Sequence, residues 1–337
     1  MVKVDTKRDD LLADYALGML KDFYMRKSEK SPQEAYARAA TAWSRFNNKE
    51  DKELAQRLYD YASKKWFMFA SPVLSNAPNG KPNEDKGMPI SCFLTYVPDT
   101  LEGLIGHSSE LRWLSVYGGG VGGHWSDVRT ISDIAPGPIP FLHTVDADMI
   151  AYRQGKTRKG SYAAYMDIKH PDVMEFLQIR IPTGDVQRKA LNIHNAINIT
   201  DDFMNVLEKC MTDPSCDDSW ELKDPHTQEV REVVSARDLW QRILEMRMQT
   251  GEPYIHYIDE SNRQLPEWLK KAGLEVNQSN LCSEIILPTN ERRTAVCCLS
   301  SVNLEYFDEW SKNKRFLADI LEMLDNVLEK FISDSPD

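Results

Sequence analysis

The chain has 337 residues, of which 42% are apolar and 28% are charged, and its net charge at pH 7 is −11. This length allows one large domain or two ordinary domains. The negative charge argues against general binding of nucleic acid, which requires a basic surface. No apolar run approaches the roughly 18 residues of a membrane span, and the amino terminus has no signal-peptide core. The composition therefore predicts a cytoplasmic protein that binds neither nucleic acid nor membrane.

The first 68 residues are predicted to form an N-terminal helical region. Apolar side chains recur at helical spacing from Leu11 to Phe23. Ser31-Pro32-Gln33-Glu34 combines a capping serine, a first-turn proline and a glutamate three residues after the cap, which is typical of a helix start. A third helix is expected from Asp51 to about Trp66. Nothing in this region suggests chemistry.

Residues 69–337 are predicted to form a second, α/β region. Strand-like and helix-like patterns alternate along it, which favours a sheet with parallel strands. The expected strands are 90–96, 161–168 and 191–199, and the expected helices are 101–117, 172–179, 201–211, 236–249 and a final helix with one apolar face at 317–331.

Two loops of unusual composition are candidate ligand-binding segments. Gly118–Gly123 contains five glycines, which allow either the close approach of a ligand or a tight packing turn, and no P-loop lysine follows. The second segment, 153–161, is locally positive in an acidic chain and suits a phosphorylated ligand, although a solvated surface loop is the alternative. Its cations are Arg153, Lys156, Arg158 and Lys159.

The most informative short motif is Asn280-Leu281-Cys282-Ser283-Glu284. If this segment is extended, an amide, a thiol and a carboxylate point to the same side, because side chains alternate along a strand. A single cysteine beside a carboxylate is weak evidence, since an unoxidised cysteine is usually a small buried hydrophobe. The motif needs support from the rest of the chain.

Six cysteines are too few for a disulfide-built scaffold of this size, so buried, catalytic or metal-binding roles are expected. The chain has no C-x-x-C, H-x-H or H-E-x-x-H pattern, which makes metal the least favoured of these roles. Cys210 continues an apolar helical stripe and is predicted to be core, and Cys216 has no evident partner. Cys92, Cys282 and the Cys297-Cys298 pair remain as candidates for chemistry.

Taken as an ordered set, the motifs resemble the large, catalytic subunit of class I ribonucleotide reductase from about residue 8 to the end of the chain. Three of them contain the candidate cysteines, namely Ser91-Cys92-Phe93-Leu94, Ser279–Ile285 and Ala295–Leu304. Two more lie between these, namely Lys159–Tyr165 with His170–Leu177, and Thr250–Tyr254 with Asp259 and Asn262.

The resemblance implies an oxidoreductase that converts ribonucleoside diphosphates to 2′-deoxyribonucleotides for DNA replication. Cys282 would become a thiyl radical and abstract the hydrogen from C3′ of the ribose. Glu284 would act as a base at the 3′-hydroxyl, and Asn280 would hydrogen-bond near the 2′ leaving group. Cys92 and Cys297 would supply two electrons and close to a disulfide, with Cys298 as the alternative member of the pair.

The resemblance also implies binding sites for substrate and effector. Ser71 and Ser91 would contact the substrate beside Asn280 and Glu284. Asp99 and Arg129 would hold a deoxynucleotide or ATP effector, together with the family's specificity loop. In this chain that loop is 153–160, and its effector-binding cations would be Arg153, Lys156 and Arg158. No metal and no directly bound cofactor are expected, because a metal-containing small subunit would supply the radical.

The fold implied by the resemblance is the first half of a ten-stranded α/β barrel with the thiyl cysteine on a central loop. Cys92 lies too near the start for the family's ATP cone, and the second half barrel is not expected within 337 residues. The chain alone is therefore expected to be inactive. The implied partners are a complementary C-terminal chain, the small subunit, thioredoxin or glutaredoxin, and a second large subunit in a homodimer. The alternatives are an adenosylcobalamin-dependent reductase or a non-catalytic nucleotide-binding assembly subunit.

Overall fold

A computed structural model describes residues 2–46, 49–80, 87–153, 159–213 and 215–334. The described chain forms two compact units, which are treated separately below. The first contains Met1–Ser91 and Cys297–Asp337, and the second contains Cys92–Gln154 and Lys159–Val296. None of the described helices is both long and apolar enough to cross a bilayer.

The helical character of the N-terminal region is confirmed, and two of its helices begin where their caps predict. Helix α2 (Pro32–Ala42) starts after Ser31, whose hydroxyl accepts a hydrogen bond from the Gln33 amide at 3.1 Å. Helix α3 (Lys52–Ser63) starts after Asp51, whose carboxylate accepts from two backbone amides at 2.9 Å. These caps satisfy amides that have no partner within the helix.

The predicted single helix near the amino terminus is instead three short segments. A 3₁₀ turn at Thr6–Leu11 is followed by α1 (Asp14–Met19) and a π-helical turn at Leu20–Tyr24. Within these segments only Leu20 is buried, and Tyr15 is 80% exposed. The expected continuous buried face is therefore wrong, because the changes of helix type rotate successive apolar residues away from one line.

The final helix, α13 (Phe316–Asp334), packs on the N-terminal helices of the same unit. Asp319 accepts hydrogen bonds from the Arg57 guanidinium at 2.8 and 2.9 Å, and this bidentate pair fixes the rotation of the helix. Leu317 and Leu321 are consequently exposed, so the predicted apolar face is only partly the buried one. The remaining elements of the first unit are β1 (Arg45–Phe46), β2 (Lys49–Glu50), β3 (Phe67–Phe69), α4 (Ser71–Ser75), β12 (Ser300–Val302), a 3₁₀ turn at Leu304–Tyr306 and α12 (Phe307–Trp310).

The predicted α/β class is confirmed by a six-stranded sheet in the order β10-β7-β6-β5-β4-β11. Neighbouring strands from β10 to β4 are parallel. The strands are β4 (Cys92–Tyr96), β5 (Gly120–His124), β6 (Ser161–Asp167), β7 (His194–Ile199), β10 (Tyr254–Tyr257) and β11 (Ala295–Cys297), and the last residue of β11 begins the second segment of the first unit.

The helices predicted in the second unit are present, although the one expected at 172–179 has only one turn, and the long helix Pro138–Ala151 was not predicted. Thr100 caps α5, and Gly251 ends α9 with φ +81°, and both residue types are favoured at these positions. The elements are α5 (Leu101–Val116), α6 (Pro138–Ala151), α7 (Val173–Phe176), a 3₁₀ turn at Val186–Arg188, α8 (Asp201–Thr212), the hairpin β8 (Ser219–Lys223) and β9 (Val230–Ser235), α9 (Ala236–Thr250), α10 (Ile258–Gln264) and α11 (Glu267–Lys271).

The glycine-rich run Gly118–Gly123 is not a ligand loop, since most of it forms the buried strand β5. A Cβ atom on Gly122 would collide with the carbonyl oxygen of Ser279, and one on Gly123 would collide with the Tyr162 hydroxyl. The glycines therefore allow neighbouring segments to approach both faces of this strand.

The cysteine near the end of α8 and the one that follows the helix also differ from expectation. Cys210 is buried as predicted, but it forms a disulfide with Cys216, for which the sequence suggested no partner. Their Cα atoms are 5.2 Å apart because the chain turns back immediately after the helix.

Candidate active site

Residues 277–280 cross one face of the parallel sheet and are held by three of its strands. The Asn198 side chain of β7 donates to the Asn277 carbonyl at 2.8 Å, and Gln278 donates to the Thr95 carbonyl of β4 at 2.8 Å. Between these strands, Gly122 of β5 leaves the space that the Ser279 backbone occupies. We call the covered side the turn face of the sheet.

The segment that follows is a tight turn, so the predicted extended conformation of 280–284 is wrong. The Ser283 amide donates to the Asn280 carbonyl at 3.1 Å, and Ser283 has φ +62°. The side-chain oxygen of Asn280 accepts from the backbone amides of Glu284 and Ile285 at 3.1 and 3.2 Å. A strand could not make these bonds, because residues four apart would be separated by about 13 Å. We call residues 280–284 the cysteine turn.

The turn brings three of the predicted site residues together. The Asn280 amide nitrogen lies 2.9 Å from a carboxylate oxygen of Glu284 and 3.2 Å from the sulfur of Cys92. Asn280 is 1% exposed, whereas Glu284 is exposed. A buried amide therefore links a cysteine at the amino end of β4 to an acidic side chain that faces solvent.

Cys282 is an exposed thiol near the tip of the turn. Burial raises the pKa of Tyr254, and interactions with Glu252 and Cys282 raise it further. The Tyr254 ring stacks on that of His194 at a centroid distance of 5.9 Å. The sequence placed Tyr254 in a family motif but gave it no role.

The cysteines that were predicted to exchange electrons differ in state. Cys92 and Cys297 are both disulfide-bonded, whereas Cys298 is a half-buried thiol whose pKa burial raises to about 12. A thiol with such a pKa is protonated at neutral pH and is a poor nucleophile. The choice of Cys297 over Cys298 as the redox cysteine and the pairing of Cys297 with Cys92 both stay predictions.

Three supporting residues were missed by sequence reasoning because their roles depend on how the chain folds around the turn. The Tyr165 hydroxyl of β6 donates to the Asn280 carbonyl at 2.7 Å. Ser279 donates to the Ile285 carbonyl at 2.7 Å, and Thr289 donates to the Gln278 side chain at 2.9 Å. Together these bonds close the base of the cysteine turn.

Two predicted effector residues meet at the other end of the sheet, beyond the carboxyl ends of β4 and β5. The Arg129 guanidinium donates to the buried Asp99 carboxylate at 2.7 Å. The His226 ring, at the tip of the β8–β9 hairpin, lies 2.7 Å from the same carboxylate. Nothing in the sequence around His226 indicated this contact, and the effector role of Asp99 and Arg129 stays a prediction.

The other predicted site residues are placed less fully. Arg153 is exposed just after α6, while Lys156 and Arg158 lie outside the described residues. Ser71 begins α4 with its hydroxyl 2.9 Å from that of Tyr24, and Ser91 is buried directly before β4. Across the described ranges no group of three or more histidine, cysteine or acidic side chains could hold a metal ion.

The fold and site define a class of α/β protein in which a cysteine-bearing turn lies across a parallel sheet, next to a second cysteine at the amino end of a strand. Family models match this chain twice, as the all-alpha domain of ribonucleotide reductase over residues 10–82 and as its barrel domain over residues 90–336. The chain therefore belongs to the ribonucleotide reductase family, within its large subunits.

Individual relatives agree with this assignment. The chain is 56% identical to a putative ribonucleoside-diphosphate reductase large subunit of Frog virus 3 (isolate Goorha), over 84% of this chain and 48% of the relative. It is 42% identical to the ribonucleoside-diphosphate reductase large subunit of Invertebrate iridescent virus 3, over 100% of this chain and 59% of the relative. Among solved structures, the class Id ribonucleotide reductase alpha subunit of Actinobacillus ureae aligns with a TM-score of 0.78 at 26% identity. The alignment covers 100% of this chain and 57% of that structure. The chain spans about half the length of these relatives.

Proposed function

We propose that this chain is the part of a ribonucleoside-diphosphate reductase large subunit that carries the radical cysteine. The observation that supports this most directly is the position of the Asn280 amide, which contacts Cys92 and Glu284 at the same time. Such an amide can hold an electron-donating sulfur and a base on the same side of a bound ribose. The exposed Cys282 thiol on the same turn is open to a substrate.

In the proposed reaction, a Cys282 thiyl radical removes the hydrogen atom from C3′ of the ribonucleotide. Glu284 takes the 3′-hydroxyl proton, which assists departure of the 2′-hydroxyl as water. Cys92 and Cys297 together supply two electrons and two protons as they form a disulfide, and Cys282 returns its hydrogen atom to C3′. The sum converts one ribonucleotide and two thiols into one 2′-deoxyribonucleotide, one disulfide and one water.

The proposed partners follow from the relatives and from the chemistry. A metal-containing small subunit would generate the radical, and thioredoxin or glutaredoxin would reduce the disulfide after each turnover. A segment corresponding to the rest of the relatives' length would complete the substrate site, and two large subunits would form a dimer. A deoxynucleotide or ATP effector would bind at Asp99, Arg129 and the basic loop, and a cytoplasmic location stays a prediction.

The test combines this chain with a separately expressed segment that covers the remaining length of its relatives, a metal-loaded small subunit and a dithiol reductant. We expect reduction of a ribonucleoside diphosphate that Cys282→Ser abolishes. Cys297→Ser should stop multiple turnover, while Cys298→Ser should not. If turnover survives Cys282→Ser, the chain is a non-catalytic assembly subunit, and a requirement for adenosylcobalamin in place of the small subunit would overturn the class I assignment.

A further inference from the structure

We propose that Tyr165 is a positioning residue for the cysteine turn, acting through the hydrogen bond from its hydroxyl to the Asn280 carbonyl oxygen. This inference rests on the proposed function, because it concerns how the Cys282 thiol is presented to substrate. Tyr165 does not contact the reacting atoms.

The bond from Tyr165 is one of two that orient the same carbonyl group. The Tyr165 hydroxyl donates to the Asn280 oxygen at 2.7 Å, and the Ser283 amide donates to it at 3.1 Å. The first bond ties the turn to strand β6, and the second closes the turn on itself. Without Tyr165, that carbonyl would keep only a bond within the turn.

The Tyr165 hydroxyl stays protonated, and the packing of its ring fixes its position. Tyr165 is fully buried, and burial raises the pKa of its hydroxyl, so the phenol is protonated and able to donate at neutral pH. Its ring packs with Ala163 and Ala196, and Leu281 and Tyr254 pack against this cluster. Tyr165 therefore contacts both residues that precede Cys282: its hydroxyl bonds to Asn280, and its cluster packs against Leu281.

Position matters here because a hydrogen-atom transfer requires the sulfur to be near its target. A displacement of about 1 Å at a reacting group can cost orders of magnitude in rate. Tyr165 holds the backbone carbonyl of Asn280, and the side chain of the same residue contacts Cys92 and Glu284. One tyrosine thus helps to fix the relative positions of three groups that the proposed reaction uses.

Strand β6 offers a matched control in Tyr162, which is also fully buried. Its hydroxyl accepts from the Trp125 indole at 2.8 Å and lies 3.2 Å from His107, on the opposite face of the sheet. Tyr162→Phe therefore removes a buried tyrosine hydroxyl from the same strand without touching the cysteine turn. Comparing Tyr165→Phe with Tyr162→Phe therefore separates an effect on the position of the turn from a general loss of stability.

The first measurement is hydrogen exchange of the full 337-residue chain, followed by mass spectrometry of the peptide 279–286. Removing one neutral hydrogen bond should make Tyr165→Phe exchange about fivefold faster in this peptide. Tyr162→Phe should leave the exchange of this peptide unchanged. Unaltered exchange in Tyr165→Phe, or an equal increase in both variants, would overturn the proposal.

The second measurement is turnover in the completed reductase. Tyr165→Phe should lower kcat about tenfold and change KM much less, since the thiol is misplaced while the proposed substrate contacts of Ser71 and Ser91 remain. Tyr162→Phe should keep both constants. If the peptide loosens but kcat is retained, the bond is structural and the positioning role is wrong. If the unaltered reductase shows no turnover, the proposed function fails, while the exchange measurement still decides whether Tyr165 holds the turn.

Discussion

The two faces of the parallel sheet are built from alternating residues of the same strands, yet different parts of the chain cover them. On one face, which we call the helix face, Tyr162 bonds to Trp125 and lies beside His107 of α5, so side chains complete a closed core. On the turn face, Tyr165 of the same strand bonds to a backbone carbonyl of the cysteine turn. One face therefore stabilises the fold through helices, and the other uses equally buried side chains to hold a loop in place.

The difference shows what a sheet must supply in order to hold a reactive loop. A helix satisfies its own backbone groups, whereas a loop across a sheet needs partners for exposed amides and carbonyls. The turn face provides backbone partners from Asn198 and Tyr165, and the Thr95 carbonyl on a third strand accepts from the Gln278 side chain. These contacts explain why the cysteine turn can keep one conformation although Cys282 is exposed.

The largest expected effect comes from filling the space beside β5 on the turn face. Gly122→Ala should destabilise the chain by about 3 kcal/mol, because the new methyl group overlaps backbone that cannot move without breaking the turn contacts. Urea unfolding measures this cost. Gly106→Ala is the control, since no atom lies within 4 Å of its added Cβ on α5 and alanine should stabilise the helix by about 0.5 kcal/mol. A loss of stability below about 0.5 kcal/mol for Gly122→Ala would contradict the close packing.

A smaller effect should appear as acid sensitivity from one buried histidine on each face. Burial lowers the pKa of His107 on the helix face and of His256 on the turn face to about 4. Their unfolded pKa is about 6.5, so between these values the unfolded chain binds protons that the folded chain does not. Stability is therefore complete above about pH 6.5 and falls as the pH drops toward 4.

The free energy of unfolding should fall by about 2 kcal/mol per histidine between pH 7 and pH 5. Urea unfolding at both pH values should show that His107→Gln or His256→Gln removes its own share of the dependence. If both variants keep the full dependence, neither imidazole is held neutral by burial. If only one variant loses its share, the two faces do not exclude water equally.

The smallest expected effect is at the base of the cysteine turn. Thr289→Val keeps the side-chain shape but removes the hydrogen bond to Gln278, which should cost about 1 kcal/mol. Hydrogen exchange should increase around residues 277–289 and stay constant in α5 and α6 on the helix face. An increase spread equally over both faces would indicate global destabilisation instead of a local loosening of the turn.

Much of the fold could be predicted because its signals are local. The Ser31 cap, the Gly251 stop and the alternation of strands and helices all depend on residues within a few positions of each other. The final helix was also predicted, but its buried side was not, because the pair between Arg57 and Asp319 joins distant parts of the chain. The disulfide between Cys210 and Cys216 was missed because its closeness depends on how the chain turns after α8.

The sequence by itself determined the family, the fold class and the identity of the residues proposed for chemistry, because these depend on which side chains occur and in what order. Only the tertiary structure decided that residues 280–284 form a turn and that Asn280 meets both Cys92 and Glu284. It also decided that the glycine-rich run is a strand whose bare face admits that turn. The physical reason is that the turn is placed by contacts with Tyr165, Cys92 and Gly122, which lie more than 100 residues away in the sequence and leave no local pattern.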